Sequence, residues 1–292
     1  YDNPSANHIL DIEVINNLLI VPGFLGGIEF YDISNPAVLN HLDTFTLSNG
    51  GQGGGQGGGA KPNCIKATIN YAYLTSNKGL SILNITNPLN VQNLGYVNNA
   101  DNYLLENLDI QGNLLAVAAH EDGVLIYDIS NPESPQLLSI IESNNAWTVH
   151  IRDEYVFVGD ESNLLVYNIF ENSFILSYSM NLGNAIKDIV SDDNFLYVAL
   201  GSDGVKMFSF PQNSEPVFLD SFDTSALANR LSTFNNKVAV SDWDDVEVLE
   251  YKEGSLQLVG FKNTTRRTMA IATKDDFIYS AEWASIQVFE YG

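Results

Sequence analysis

The stretch GIEFYDISNP, Gly27 to Pro36, recurs as GLSILNITNP from Gly79 to Pro88 and as GVLIYDISNP from Gly123 to Pro132. Shorter copies follow as NLLVYNI from Asn163, GVKMFSF from Gly204, DVEVLEY from Asp245 and SIQVFEY from Ser285. Successive copies start 52, 44, 40, 41, 41 and 40 residues apart. The long first interval holds an insertion, GGQGGGQGGG, Gly50 to Gly59. Seven copies of one unit at this spacing account for nearly the whole chain, and a fixed period of this size is the mark of a repeat architecture.

Working outward from each copy, a second apolar run lies about ten residues upstream: LLIV at Leu18, LLAV at Leu114, YVFV at Tyr155 and FLYV at Phe195 are examples. A third run precedes it, as in LDIEVI, CIKATI and TVHI, and a fourth follows the copy, as in HLDTFTL and QLLSII. Short runs rich in Val, Ile, Tyr and Phe between Asn, Asp and Gly are strands. Asn16-Asn17, Asp153, Asn235-Asn236 and Asp275-Asp276 supply residues that tolerate the positive φ of tight turns. The central runs are apolar almost throughout, as expected of strands buried on both faces. Four antiparallel strands per repeat predict an all-β, seven-bladed β-propeller of four-stranded antiparallel blades, one domain over residues 1–292. The chain stops after the third strand of the last repeat, so residues 1–7 are expected to supply its outer strand, where Pro4 is tolerated at an edge.

The YDISNP wording, with a Gly-Leu or Gly-Val before it, resembles the LVIVD-repeat family over nearly all of the chain. Copies one to three match closely and copies four to seven are degenerate. The resemblance implies a propeller that is exported and displayed at a cell surface, in some relatives as an outer-membrane lipoprotein. It brings no catalytic motif with it. The first residue, Tyr1, is compatible with removal of a leader, and a lipid anchor upstream of it fits the same picture.

The 292 residues carry 13 Lys and Arg against 36 Asp and Glu, a formal charge of −23. Such a surface repels nucleic acid and anionic lipid headgroups. The hydrophobic fraction of 45% supports a large core and excludes a disordered chain. No run is long and apolar enough for a membrane helix. The single cysteine, Cys64, has no partner for an internal disulfide and reads as a small buried residue.

Antiparallel alternation divides the loops between two faces. The YDISNP turns share one face with the short Asn/Asp turns. The other face takes Phe24, His120, Trp147, Arg230, Trp243, Arg266, Arg267 and Trp283, together with the glycine insertion. All three tryptophans fall there. Indoles beside arginines form the composition of a binding hot spot, although each indole could equally pack beneath its own loop. Arg266 and Arg267 suit a carboxylate on a partner, or Glu282 and Asp242 in neighbouring loops.

Catalytic motifs are missing. His8, His41, His120 and His150 stand singly, without zinc-ligand spacing. No G-x-S-x-G elbow occurs, and the glycine run has no following Gly-Lys-Ser/Thr. Loop acids such as Asp242 and Asp245 miss the EF-hand spacing, which leaves room only for adventitious calcium. The sequence therefore predicts a non-catalytic scaffolding module with no cofactor and with a protein partner in a surface or outer-membrane complex. A glycan ligand stacked on the same indoles is the alternative. A carboxylate-based glycoside hydrolase or lyase is the third reading.

Overall fold

The computed structural model describes residues 8–23, 27–47, 61–77, 79–98, 103–210 and 215–292. Phe24, the insertion at 50–59 and the closing segment expected at 1–7 lie outside these residues. The first sheet consists of β1 (Glu13–Ile15), β2 (Leu18–Pro22), β3 (Gly27–Asp32) and β4 (Asn40–Thr46). The second holds β5 (Pro62–Ala67), β6 (Tyr71–Ser76), β7 (Gly79–Asn84) and β8 (Gln92–Asn98). The third holds β9 (Leu108–Gln111), β10 (Leu114–Ala118), β11 (Val124–Asp128) and β12 (Gln136–Ile141). The fourth holds β13 (Ala146–Arg152), β14 (Tyr155–Asp160), β15 (Asn163–Phe170) and β16 (Ser173–Asn181). The fifth holds β17 (Asp188–Ser191), β18 (Phe195–Ala199), β19 (Val205–Ser209) and β20 (Val217–Phe222). Each is antiparallel in chain order.

The last sheet departs from the expected seven separate blades. Five strands form one sheet: β21 (Ala228–Phe234), β22 (Lys237–Lys252), β23 (Ser255–Lys274), β24 (Phe277–Glu282) and β25 (Ser285–Glu290). The described strands thus make six sheets, not seven. The physical cause is continuity: β22 and β23 keep their ladder pairing through the stretches where the earlier repeats break, past a register shift at Trp243 (φ +57°), so the sixth and seventh repeats share a sheet. Within it, Phe234, Ala239, Val246 and Val248 pack against Ile271 and Ile278.

The repeat wording has a direct structural meaning. Asp32, Asn84 and Asp128 each accept the backbone N–H two residues on, from Ser34, Thr86 and Ser130, at 2.7–3.0 Å. The Asn that follows opens a turn with proline second: the N–H of Val38, Asn90 and Ser134 donates to the carbonyl of Asn35, Asn87 and Asn131. Proline presets φ for that turn position. Asn16, Asp153, Asn235, Asn236 and Asp275 adopt positive φ in the tight hairpins, as expected.

The core lies between sheets. Ile20, Ile28 and Phe30 of the first pack on Ile65, Ala72 and Leu74 of the second. Val156 and Val158 of the fourth pack on Ala116, Ala118 and Ile126 of the third. The ring closes where Ile9, Ile12, Leu19 and Val21 meet Ala270, Tyr279, Ala281 and Ile286, with the Tyr279 hydroxyl donating to the Pro36 carbonyl at 2.9 Å. All six residues of β14 are buried, which accounts for its unbroken apolar spelling. No helix among the described residues is long and apolar enough to cross a membrane.

Gly123 and Gly204 open the third strands of their repeats at φ +85° and +66°. A Cβ at Gly123 would overlap the carbonyl oxygen of Ile141, and one at Gly204 that of Phe222. Gly123→Ala is therefore expected to cost about 2–3 kcal/mol, read from chemical denaturation. Gly183→Ala, at φ +93° with open space around it, should cost clearly less.

Candidate functional site

The inner strands surround a central cavity of ≈ 280 Å³. Its wall is made by β1, β5, β9, β13, β17, β21 and the Ile271–Thr273 part of β23 with their flanking residues. Each inner strand is a sheet edge, so its outward N–H groups lack a ladder partner. Carboxylates of the preceding repeat take that place. Asp11 accepts from Ile65 N–H at 2.9 Å, Asp109 from Ile151 at 2.8 Å and Asp188 from Leu231 at 2.8 Å. Glu13 accepts from Ala67 at 3.3 Å and the Asn107 amide oxygen from Val149 at 3.4 Å.

Cations are interleaved with these acids. Arg230 Nη1 lies 4.0 Å from Asp188 Oδ1, and Lys66 Nζ lies 3.4 Å from Glu13. His150 bridges Asp109 and Ser191, both at 2.8 Å. Burial pushes Glu13 up to about 7, more than Lys66 lowers it. Burial also raises Asp188 in spite of Arg230. Asp109 moves the other way: burial pushes it up, but His150, Lys66 and the Ile151 N–H together outweigh burial and lower it. Burial raises the Cys64 thiol well above its ordinary value, so it stays protonated and unreactive at neutral pH.

One mouth of the cavity forms a rim around ≈ 160 Å³, lined by Leu10, Asn63, Glu106, Trp147, Lys187, Asn229, Arg230 and Met269. The ladder registers skip one residue between Pro62/Cys64, Ala146/Thr148, Ala228/Arg230 and Thr268/Ala270. The skipped residues are Asn63, Trp147, Asn229 and Met269, all four on the rim. A β-bulge re-aims one side chain out of the pleat, and here each bulge delivers a side chain to the mouth.

The rim tryptophan is held on two sides. Lys187 Nζ lies 5.0 Å from the Trp147 ring centroid, and the His120 ring meets it edge-on at 5.1 Å. His120, at φ +52°, contacts Asn145 through Nδ1 at 3.0 Å and Glu106 through Nε2 at 3.4 Å. Of the other two tryptophans, Trp243 lies within β22 at φ +57° and Trp283 in the β24–β25 turn. The Arg267 guanidinium lies 4.5 Å above Trp243. The Arg267 carbonyl accepts from Trp283 N–H at 3.1 Å, and the Trp283 ring meets the His8 ring at a tilt, centroids 4.1 Å apart. Arg266 and Arg267 are exposed, as is Trp283.

Two groups thus emerge from the expected set: Trp147 with His120, and Trp243 with Arg267 and Trp283. Arg230 differs from its expected place in a loop. It is a residue of β21, its guanidinium largely buried between channel and rim. Trp147 likewise starts a strand. The channel residues Asp11, Glu13, Lys66, Asp109, His150 and Asp188 were not singled out by sequence. Their one signal is position: Asp11, Asn107 and Asp188 each directly precede an apolar residue, Ile12, Leu108 and Ile189, at or beside the start of an inner strand.

A family described as LVIVD repeat matches residues 63–99, 106–142 and 143–167. Comparison with curated proteins returns no significant match. Among solved structures, a β-propeller domain from Myceliophteria thermophila superposes with a TM-score of 0.78 at 10% identity, covering 100% of this chain and 98% of that one. A chain of the mitotic checkpoint complex gives 0.78 at 9%, covering 100% and 94%. A computationally designed protein gives 0.68 at 14%, covering 99% and 98%. At these identities the likeness establishes the fold alone.

Asp188→Ala removes both the acceptor for Leu231 N–H and the counter-charge of Arg230. A loss of about 3–5 kcal/mol is expected, as for other broken buried pairs, with a smaller loss in Asp188→Asn, measured by denaturation at pH 7. Glu13 gives a pH signature. Its folded pKa lies above the unfolded value, so the folded state holds the proton more tightly and stability falls as pH rises from about 4.5 to 7. The Glu13→Gln variant should lose up to about 3 kcal/mol of that decline, read as a flatter melting temperature against pH.

Proposed function

We propose, for a chain that belongs to the LVIVD-repeat β-propeller family, a non-catalytic role as an exported binding and scaffolding module that docks a protein partner through its tryptophan-bearing face. The observation that carries this reading is the company each indole keeps. In a chain of net charge −23, Trp147 lies under the Lys187 ammonium and Trp243 under the Arg267 guanidinium, while Trp283 packs against the His8 ring. Aromatic anchors with fixed cations are the residue classes that dominate binding energy at interfaces. An acidic segment on an envelope partner is the complementary surface.

The channel supports the same preference. Glu13 and Asp109 differ in pKa as an acid–base pair requires, yet both carboxylates are engaged by backbone N–H groups of the neighbouring repeat. That commitment suits closure of the ring and argues against a carboxylate-based hydrolase or lyase. A glycan is the second reading, favoured by the 37% exposure of Trp283, because an open indole face suits sugar stacking.

We further read the five-stranded sheet as two repeat units, which makes the propeller seven-bladed. Three observations favour it: seven inner segments line the channel, residues of the sixth and seventh repeats pack on one another inside the sheet, and Trp243 at φ +57° turns as Glu161 does between β14 and β15. A crystal structure with six inner strands around the axis would refute the count.

The face is tested by co-purification from the native cells with mass spectrometry. The wild-type chain should bring down a stoichiometric envelope protein. Trp243→Ala combined with Trp283→Ala should weaken that capture at least tenfold while the melting temperature stays within a few degrees. Undiminished capture would remove these residues from the interface, and a glycan array positive for wild type alone would move the reading to sugars.

A further inference from the structure

Three carboxylates of the sixth repeat are buried together. Asp242 is 0%, Asp245 2% and Glu247 2% exposed, and one oxygen from each lies within 4.8 Å of the others. The Ser225 hydroxyl lies 3.0 Å from Asp242 Oδ2 and 2.7 Å from Asp245 Oδ2. The Ser225 N–H donates to Glu247 Oε1 at 3.1 Å, and the Ala226 N–H to Asp242 Oδ2 at 2.7 Å. These donors serve only one oxygen of each group. The remaining oxygens, Asp242 Oδ1, Asp245 Oδ1 and Glu247 Oε2, are buried without a hydrogen-bond partner. The ion pairs formed by the described residues leave all three acids out.

The other repeats act as internal controls. In the seventh, the corresponding residues are Glu282, Ser285 and Gln287: a single acid, with the Ser285 hydroxyl and the Gln287 amide donating to its two oxygens. In the fourth they are Asp160, Asn163 and Leu165, and Asp160 accepts from Asn144 and Asn145 at 3.0 and 2.6 Å. Both are acid-plus-donor arrangements, complete in themselves. The sixth repeat replaces the two other positions with Asp245 and Glu247, adding charge where the others supply protons. An unpaired buried carboxylate costs several kcal/mol, so a cluster of three calls for positive charge from outside the chain.

We propose that Asp242, Asp245 and Glu247 form a binding site for a hard divalent cation, calcium by preference. The donors are all oxygens, which suits calcium and disfavours softer metals. Ligand atoms on a calcium shell of 2.3–2.6 Å radius lie at most about 5 Å apart, in keeping with the spacing here. Ser225 and Asp244, both exposed, border the cluster and open it to solvent. Without a cation, burial pushes Asp245 up to about 6 and Glu247 up to about 7, with Asp242 adding to both shifts.

The test uses the whole chain freed of metal by chelation. Titration with calcium chloride, followed by calorimetry and by melting, should show saturable binding of about one ion per chain with a Kd at or below the millimolar range, and a melting temperature that rises by several degrees. Asp245→Ser combined with Glu247→Gln copies the donor set of the seventh repeat. This variant should fold, melt in chelator at or above the wild-type temperature, and bind calcium at least tenfold more weakly. Absence of saturable binding by the wild type overturns the proposal, and so does a double variant that binds calcium as the wild type does.

Discussion

Every sheet in this molecule has an edge at the axis, and an edge strand with free N–H groups is unstable wherever water is scarce. The structure resolves this at alternate junctions, where the first, third and fifth repeats supply a carboxylate or amide oxygen to the inner strand of the next. Asp11 reaches Ile65, Asp109 reaches Ile151 and Asp188 reaches Leu231. Hydrogen bonds to charged groups contribute about 1.5–3 kcal/mol each, and these operate between repeats rather than within them. They fix the angle at which neighbouring sheets meet, which the apolar cores then fill. The channel is therefore acidic by construction. Lys66 and Arg230 are placed there to offset the charge that closure of the ring demands.

The same constraint decides where a partner could be met. Acids used to close the axis are unavailable for other work, and the inner strands pass their bulged residues up to the rim. Asn63, Trp147, Asn229 and Met269 reach it by one device, a single extra residue in the ladder. The rim is consequently the place where the repeat can vary without breaking the ring. Function placed at the rim and on adjacent turns leaves the staples untouched.

Much of this was legible in the sequence. The GIEFYDISNP copies disclosed the strand order, the turn chemistry and the period, because Asp32, Asn35 and Pro36 act locally and local chemistry has a fixed spelling. The inner-strand acids did not stand out, since 36 acidic residues hide the four that matter, Asp11, Glu13, Asp109 and Asp188, and only pairing across 42 to 54 residues identifies them. Arg230 and Trp147 were expected in loops because a bulge has no sequence marker here; the strand begins before it and resumes after it. The shared sheet of repeats six and seven was equally invisible, as Asp242 to Asp245 spells a turn while the backbone on both sides remains extended.

Degeneracy of the later repeats has a physical side. A repeat that keeps the GVLIYDISNP wording spends its turn residues on capping itself, as Asp128 does for Ser130. A repeat that abandons it frees the same positions. The fourth, sixth and seventh repeats have lost the glycine at the head of the third strand, replaced by Asn163, Asp245 and Ser285. Asn163 and Ser285 pair with an acid at the end of the preceding strand, Asp160 and Glu282, whereas Asp245 follows Asp242 within β22, with their carboxylate oxygens within 4.8 Å. Asn163 and Ser285 are neutral, and Ser285 donates to its acid directly. Asp245 instead meets Asp242 with like charge, and Glu247 adds a third. Like charges held this close repel, and burial magnifies the effect. A position that three repeats solved in two neutral ways and one charged way is one where the charged solution needs a reason beyond folding.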